Sequence, residues 1–145
     1  HISRRTFYHH FKDLFDVISW AQRKKLEEAA DRLKQISDPA AAAAALTNNM
    51  PYMLSYIRRF LNTKHRIKME ESLLDGIRYF IERLLSSAEV CSYDKPMQDF
   101  MAEFFACGIT KYLIERSFDE KVDNEHLSKL LAYLVRQTDI NEDSI

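Results

Sequence analysis

Apolar residues recur along most of the chain at intervals of three and four, which is the spacing of one face of an α-helix. No stretch alternates in the manner of a half-buried strand, and the expected fold class is therefore all-α. The pattern predicts a short helix over residues 4–11, a long one over 13–36, and later helices starting at 38, 52, 68, 93 and 123.

Residues that break helices are rare, since the chain has only two glycines and three prolines. Asp38 followed by Pro39 is typical of a helix start, with aspartate as the N-cap and proline at the first helical position. Asn48, Asn49 and Pro51 predict an interruption or kink before the helix at 52–61, because proline removes an amide and crowds the preceding turn.

Length and composition describe a folded protein, because 145 residues with 46% apolar content can build a core. No apolar run has the length needed to cross a bilayer, so no membrane contact is expected. Cys91 and Cys107 form no CxxC motif and lie near no histidine pair, which favours neither a zinc site nor a disulfide framework. A cytoplasmic location fits these features best.

Charge is distributed unevenly along the chain, although the formal net charge is only −1. Residues 1–12 carry three Lys or Arg and no acid, whereas residues 115–145 carry eight acids and four bases. Such an asymmetry predicts that the N-terminal end faces a polyanion.

The basic end combines cations with hydroxyl and imidazole donors on one short helix. Ser3 is the expected N-cap, and Phe7 and Phe11 are four residues apart, as expected of a buried pair. Arg4 and Tyr8 then form one row of donors, and Arg5 and His9 a second row, on the side opposite the two phenylalanines. The alternative reading is a solvated basic face of an ordinary amphipathic helix.

The stretch ISRRTFYHHFKD at residues 2–13 resembles the second half of the helix-turn-helix of TetR-family transcription regulators, whose usual pattern is V-S-x-x-T-[LF]-Y-x-H-F-x-[ND]-K. The resemblance implies that residues 1–12 hold the recognition helix of a helix-turn-helix, and that two further short helices precede His1. It also implies a connecting helix over 13–36 and a helical regulatory and dimerisation domain over 37–145.

A DNA operator is the partner that this resemblance implies, with the chain acting as a repressor. Ser3, Thr6, Tyr8 and His10 are suited to phosphate oxygens, and the arginines are suited to guanine edges. Where the family commonly has lysine this chain has Leu14, and Lys12 could contact the same phosphate. The predicted DNA-binding residues are Ser3, Arg4, Arg5, Thr6, Tyr8, His9, His10 and Lys12.

TetR-family bundles usually enclose a ligand cavity, so the resemblance also implies a small apolar effector. Aromatic residues at helical spacing are more often ordinary core than pocket lining, and that alternative stays open. The residues predicted to bind the effector are Tyr56, Phe60, Arg78, Tyr79 and Phe104.

The last two helices are expected to form a homodimer interface, the alternative being internal packing of a monomer. Two reading helices must meet half-sites about 34–36 Å apart, and a two-fold dimer provides this arrangement. Gly108 would permit close approach of helices. The predicted interface residues are Phe105, Gly108, Tyr112, Leu127, Leu130, Leu131 and Leu134.

The sequence has no nucleophile elbow, no phosphate-binding glycine loop and no HExxH motif, so no enzymatic activity is expected. His9 and His10 are adjacent on a helix and point in different directions, so neither a metal site nor a cofactor is expected. The main alternative function is a helical adaptor whose bundle binds a protein partner.

Overall fold

The computed structural model describes residues 3–36, 38–86, 93–119 and 125–136, and within these ranges every regular element is an α-helix. The all-α fold class is thereby confirmed. The helices are α1 (Arg4–His10), α2 (Leu14–Lys34), α3 (Pro39–Leu61), α4 (Arg66–Ser86), α5 (Lys95–Arg116) and α6 (Glu125–Arg136).

The first two helices begin where the predicted caps lie. The Ser3 hydroxyl accepts the Thr6 amide at 3.1 Å, and the Asp13 carboxylate accepts the Asp16 amide at 3.0 Å. Asp16 in turn accepts the Lys12 amide at 2.7 Å, so two exposed backbone donors are satisfied reciprocally at the start of α2. These bonds separate α1 from α2 by a sharp break.

Of the interruption or kink predicted near residues 48–51, the interruption is wrong, because α3 is continuous from Pro39 to Leu61, and the kink stays a prediction. Proline removes only one amide from the helix, and Pro51 is exposed. The predicted start of α3 is confirmed by the Asp38 carboxylate, which accepts the Ala41 amide at 3.2 Å. The predicted cap at Asp123 lies outside the described residues.

The core forms around α4, which packs most extensively against α5 and then against α2, while α3 packs against α6. Ile57, Met69, Ile81 and Leu113 are almost completely buried. Other buried apolar residues include Leu33, Leu54, Leu61, Leu73, Ile77, Phe80, Leu84, Leu85, Ala102, Ala106, Ile109 and Leu127.

Polar side chains hold α2 against α4. The hydroxyls of Ser19 and Ser72 lie 2.9 Å apart, and Ser72 also donates to Gln22 at 3.0 Å. Further along, the Arg83 guanidinium donates two hydrogen bonds of 2.9 Å to the Asp31 carboxylate. These directional contacts fix how α2 lies on the bundle.

Within the described ranges, no helix combines the length and the apolar character that crossing a membrane would require.

Candidate nucleic-acid interface

The α1 helix exposes its donor-rich side and buries no residue fully. Phe7 and Phe11 are half-buried, with ring centroids 5.6 Å apart, and the Phe11 ring lies 6.1 Å from that of Trp20. The eight residues predicted to bind DNA are all exposed, namely Ser3, Arg4, Arg5, Thr6, Tyr8, His9, His10 and Lys12.

The exposed residues of α1 form the ridge that the sequence predicts. Arg4 and Tyr8 share one face of the helix, and Arg5 and His9 share the adjacent face, because residues four apart are neighbours on a helix. Tyr8 keeps 67% of its surface exposed. Among the described residues no acid pairs with Arg4, Arg5 or Lys12, so the cationic groups of the ridge face solvent.

The start of α2 anchors this ridge to the bundle. The Phe15 ring lies 4.8 Å from the His65 ring and 6.0 Å from the Phe60 ring. Lys68 donates to the Asp13 carboxylate at 3.2 Å, and the Asp16 amide together with Lys68 holds the pKa of Asp13 below its usual range. Sequence reasoning missed this junction, because its partners are about 50 residues apart along the chain.

Two of the predicted effector residues, Tyr56 and Phe60, lie together at this junction. Their ring centroids are 5.1 Å apart, and Phe60 contacts Phe15 of α2. Burial raises the pKa of the Tyr56 hydroxyl above its ordinary value. This aromatic pair therefore touches the helix that carries α1.

The other predicted effector residues lie elsewhere. Tyr79 donates to Glu27 of α2 at 3.3 Å, while Arg78 reaches Glu103 of α5 at 3.0 Å. Phe104 is 64% exposed on α5. The structure thus places the five residues at separate positions and does not bring them into one cavity, and their role in binding an effector stays a prediction.

An apolar groove of about 690 Å³ runs between α5 and α6. Phe104 lines this groove. Five of the residues predicted for the dimer interface also line it, namely Phe105, Gly108, Tyr112, Leu127 and Leu130. A Cβ atom built on Gly108 would meet nothing within 4 Å, so the space beside this glycine is open to an approaching helix. The side chains of Leu131 and Leu134 lie outside the described part of the chain.

No group of three or more His, Cys, Asp or Glu side chains within the described ranges is arranged to hold a metal ion. The rings of His9 and His10 contact each other edge to face at 5.1 Å, so the expectation that these two side chains point in different directions is wrong. The site therefore consists of donors and cations on a helix surface.

Comparison with known proteins gives no match among family models, curated proteins or solved structures. Fold and site together define an all-α protein that exposes a basic, donor-rich helix and an apolar groove between two other helices.

Proposed function

We propose that the chain is a TetR-like transcriptional regulator that binds duplex DNA as a homodimer, with α1 as the reading helix. The observation that carries the proposal is the orientation of α1. Its aromatic side turns toward Trp20, while its arginines, histidines and hydroxyls face solvent with no acid paired to the arginines.

The chemistry of the ridge matches that of DNA. Hydroxyl and imidazole donors at Thr6, Tyr8 and His10 are suited to phosphate oxygens, which position a protein without reading sequence. The guanidinium groups of Arg4 and Arg5 are suited to paired hydrogen bonds with O6 and N7 of guanine. Backbone contacts and base contacts would thus come from one short helix.

The homodimer part of the proposal uses the groove between α5 and α6. Phe100 and Phe104 are 63% and 64% exposed beside this groove, and their rings stack at 6.0 Å. Covering such a surface with a second copy would remove apolar area from water and bring two α1 helices into one molecule. Paired reading helices would then meet a palindromic operator.

An apolar effector would act through Tyr56 and Phe60 in this proposal, because Phe60 contacts Phe15 near the start of α2. A molecule that displaced Phe60 would shift α2 and with it α1. Effector and operator would each favour one position of α2, and their binding would be coupled reciprocally.

DNA binding is tested by selecting duplexes from a random pool with the full-length protein and measuring affinities by fluorescence anisotropy. Arg5→Ala should weaken binding of the enriched duplex by about 1–3 kcal/mol. Lys34→Ala, which removes the same charge at the far end of α2, should leave the affinity unchanged. Equal affinities for Arg5→Ala and wild type would contradict the proposal.

The second candidate function is a helical adaptor that binds a protein partner, and the same exposed groove favours it. Sedimentation equilibrium of the chain alone separates the two functions. The homodimer proposal expects a dimer that Phe104→Glu dissociates, because the substitution places a charge in the apolar surface. If the wild type is a monomer and binds DNA as a monomer, the homodimer proposal is contradicted. The groove is then the binding site for another protein.

A further inference from the structure

A second basic region lies in the middle of the chain, far from α1 in sequence. Between Asp38 and Glu70 there is no Asp or Glu, whereas this stretch contains five Lys or Arg residues and His65. All six lie within residues 58–68, which cover the end of α3, the α3–α4 turn and the start of α4.

The fold brings this region against the helix junction that carries α1. The His65 ring lies 4.8 Å from Phe15, and the Lys68 ammonium lies 3.2 Å from the Asp13 carboxylate. Lys12 directly precedes Asp13, and Lys64 directly precedes His65. The α3–α4 turn is thus a direct neighbour of the basic end of the molecule.

Two cations of the region are already used inside the fold. Arg58 donates to the backbone carbonyls of Ser117 and Asp119, which closes the C-terminal end of α5. Lys68 lies between Asp13 and the Phe15 ring, with its ammonium 5.7 Å from the ring centroid. Both side chains join separate elements of the fold, so a ligand that took either of them would weaken the packing between those elements.

The remaining cations face solvent. Arg59 and Lys64 are exposed and pair with no acid in the described part of the chain. Arg66 bonds Glu70 at 2.7 Å, but its side chain remains 58% exposed. We call Arg59, Lys64 and Arg66 the turn patch.

Glu70 pairs with Arg66, whereas the acids across the helix junction pair with neither Arg59 nor Lys64. Asp13 and Asp16 cap the start of α2 and accept backbone amides, and Asp13 also receives Lys68. Their carboxylates are therefore engaged locally. Lys12 and the turn patch present positive charge on either side of this junction.

We propose that the turn patch is a second DNA-binding surface, which contacts the phosphate backbone beside the segment read by α1. The inference rests on the proposed function, because its anion is the same duplex. Phosphate contacts from Arg59, Lys64 and Arg66 carry no base information, so they would raise affinity for every sequence alike. The regulatory bundle itself would then take part in holding DNA.

The test measures binding of a mixed-sequence duplex of about four helical turns as a function of salt concentration. Loss of one phosphate contact should lower the slope of log K against log salt by about 0.9. Lys64→Ala is expected to show this loss, and Lys64→Glu a larger fall in affinity. Lys34→Ala is the control for the loss of one positive charge, because Lys34 ends α2 about 30 Å from its start.

The outcomes separate this inference from the proposed function. A lower slope for Lys64→Ala on the mixed-sequence duplex and weaker binding of the enriched duplex by Arg5→Ala, with Lys34→Ala unchanged in both measurements, support both proposals. If Arg5→Ala weakens binding of the enriched duplex while Lys64→Ala and Lys64→Glu match wild type, the proposed role of the turn patch is contradicted and that of the reading helix is not. If the full-length protein binds no duplex, both are overturned. Melting temperatures equal to that of wild type verify that the exposed substitutions leave the fold intact.

Discussion

The two faces of α4 are held by different chemistry. Toward α5 the contact is largely apolar, with Ala106, Ile109 and Leu113 buried on α5, and the exposed pair Arg78 and Glu103 lies beside it. Toward α2 it is largely polar, and α2 buries only Ala30 and Leu33 fully. Apolar burial is non-directional and stabilises the bundle, whereas hydrogen bonds fix a geometry. The α2 helix, which carries α1, is therefore held by contacts that define its orientation.

The apolar contact should be the most sensitive to substitution. Leu113→Ala is expected to lower the free energy of unfolding by about 3 kcal/mol, because Leu113 is 2% exposed and its removal leaves a cavity. Urea unfolding measures this loss. Ile67→Ala is the control at a residue that is 72% exposed, and it should change stability by less than about 0.5 kcal/mol. Similar losses for both variants would contradict the assigned core.

Arg83→Met should cost less stability than Leu113→Ala, because Arg83 and Asp31 are partly exposed and water competes for their charges. The methionine keeps the apolar stem while removing the paired hydrogen bonds. A double-mutant cycle with Asp31→Asn isolates the pair. A coupling free energy of zero between Arg83 and Asp31 in low salt would show that this pair does not orient α2.

The pH dependence of stability tests the same pair. A hydrogen bond from Arg83 lowers the pKa of Asp31, and the Asp16 amide lowers that of Asp13. A lowered carboxyl pKa contributes stability that is present above the ordinary value and is lost as pH falls below about 4. Asp31→Asn should therefore flatten the decline in unfolding free energy between about pH 5 and pH 2. If the unfolding free energy of Asp31→Asn falls with pH as steeply as that of wild type, Arg83 does not lower the pKa of Asp31.

Gly76→Ala should have the smallest effect. A Cβ atom at Gly76 would lie 2.9 Å from Cδ1 of Leu26, so α2 approaches α4 closely at this glycine. Leu26 can rotate the end of its side chain, and alanine gains up to about 1 kcal/mol of helix propensity. The two effects should leave the unfolding free energy within about 1 kcal/mol of wild type. A much larger loss would show that Leu26 cannot move.

Local features of the fold were predictable from sequence because they depend on neighbouring residues. Ser3 and Asp13 cap helices through bonds that span three residues, and the aromatic pair Phe7 and Phe11 lies on one helix face. The expected break near Pro51 failed because one missing amide at an exposed position does not end a long helix.

Contacts between distant residues were not predictable in the same way. Arg83 and Asp31 are 52 residues apart, and nothing in the spacing of either helix indicates that they meet. Tyr79 and Arg78 were assigned to an effector pocket by their chemistry, yet the fold uses both in contacts between helices. The ridge on α1 was predictable because its residues are consecutive.

Hydroxyl-radical footprinting of the enriched duplex tests the central claim most directly, because it records where the protein shields the DNA backbone. If two copies place their α1 helices in successive grooves, two protected segments should appear on one face of the duplex, about 34–36 Å apart. The doubly substituted Arg4→Ala, Arg5→Ala chain should lose both. Uniform cleavage, or protection that survives this double substitution, would contradict the account.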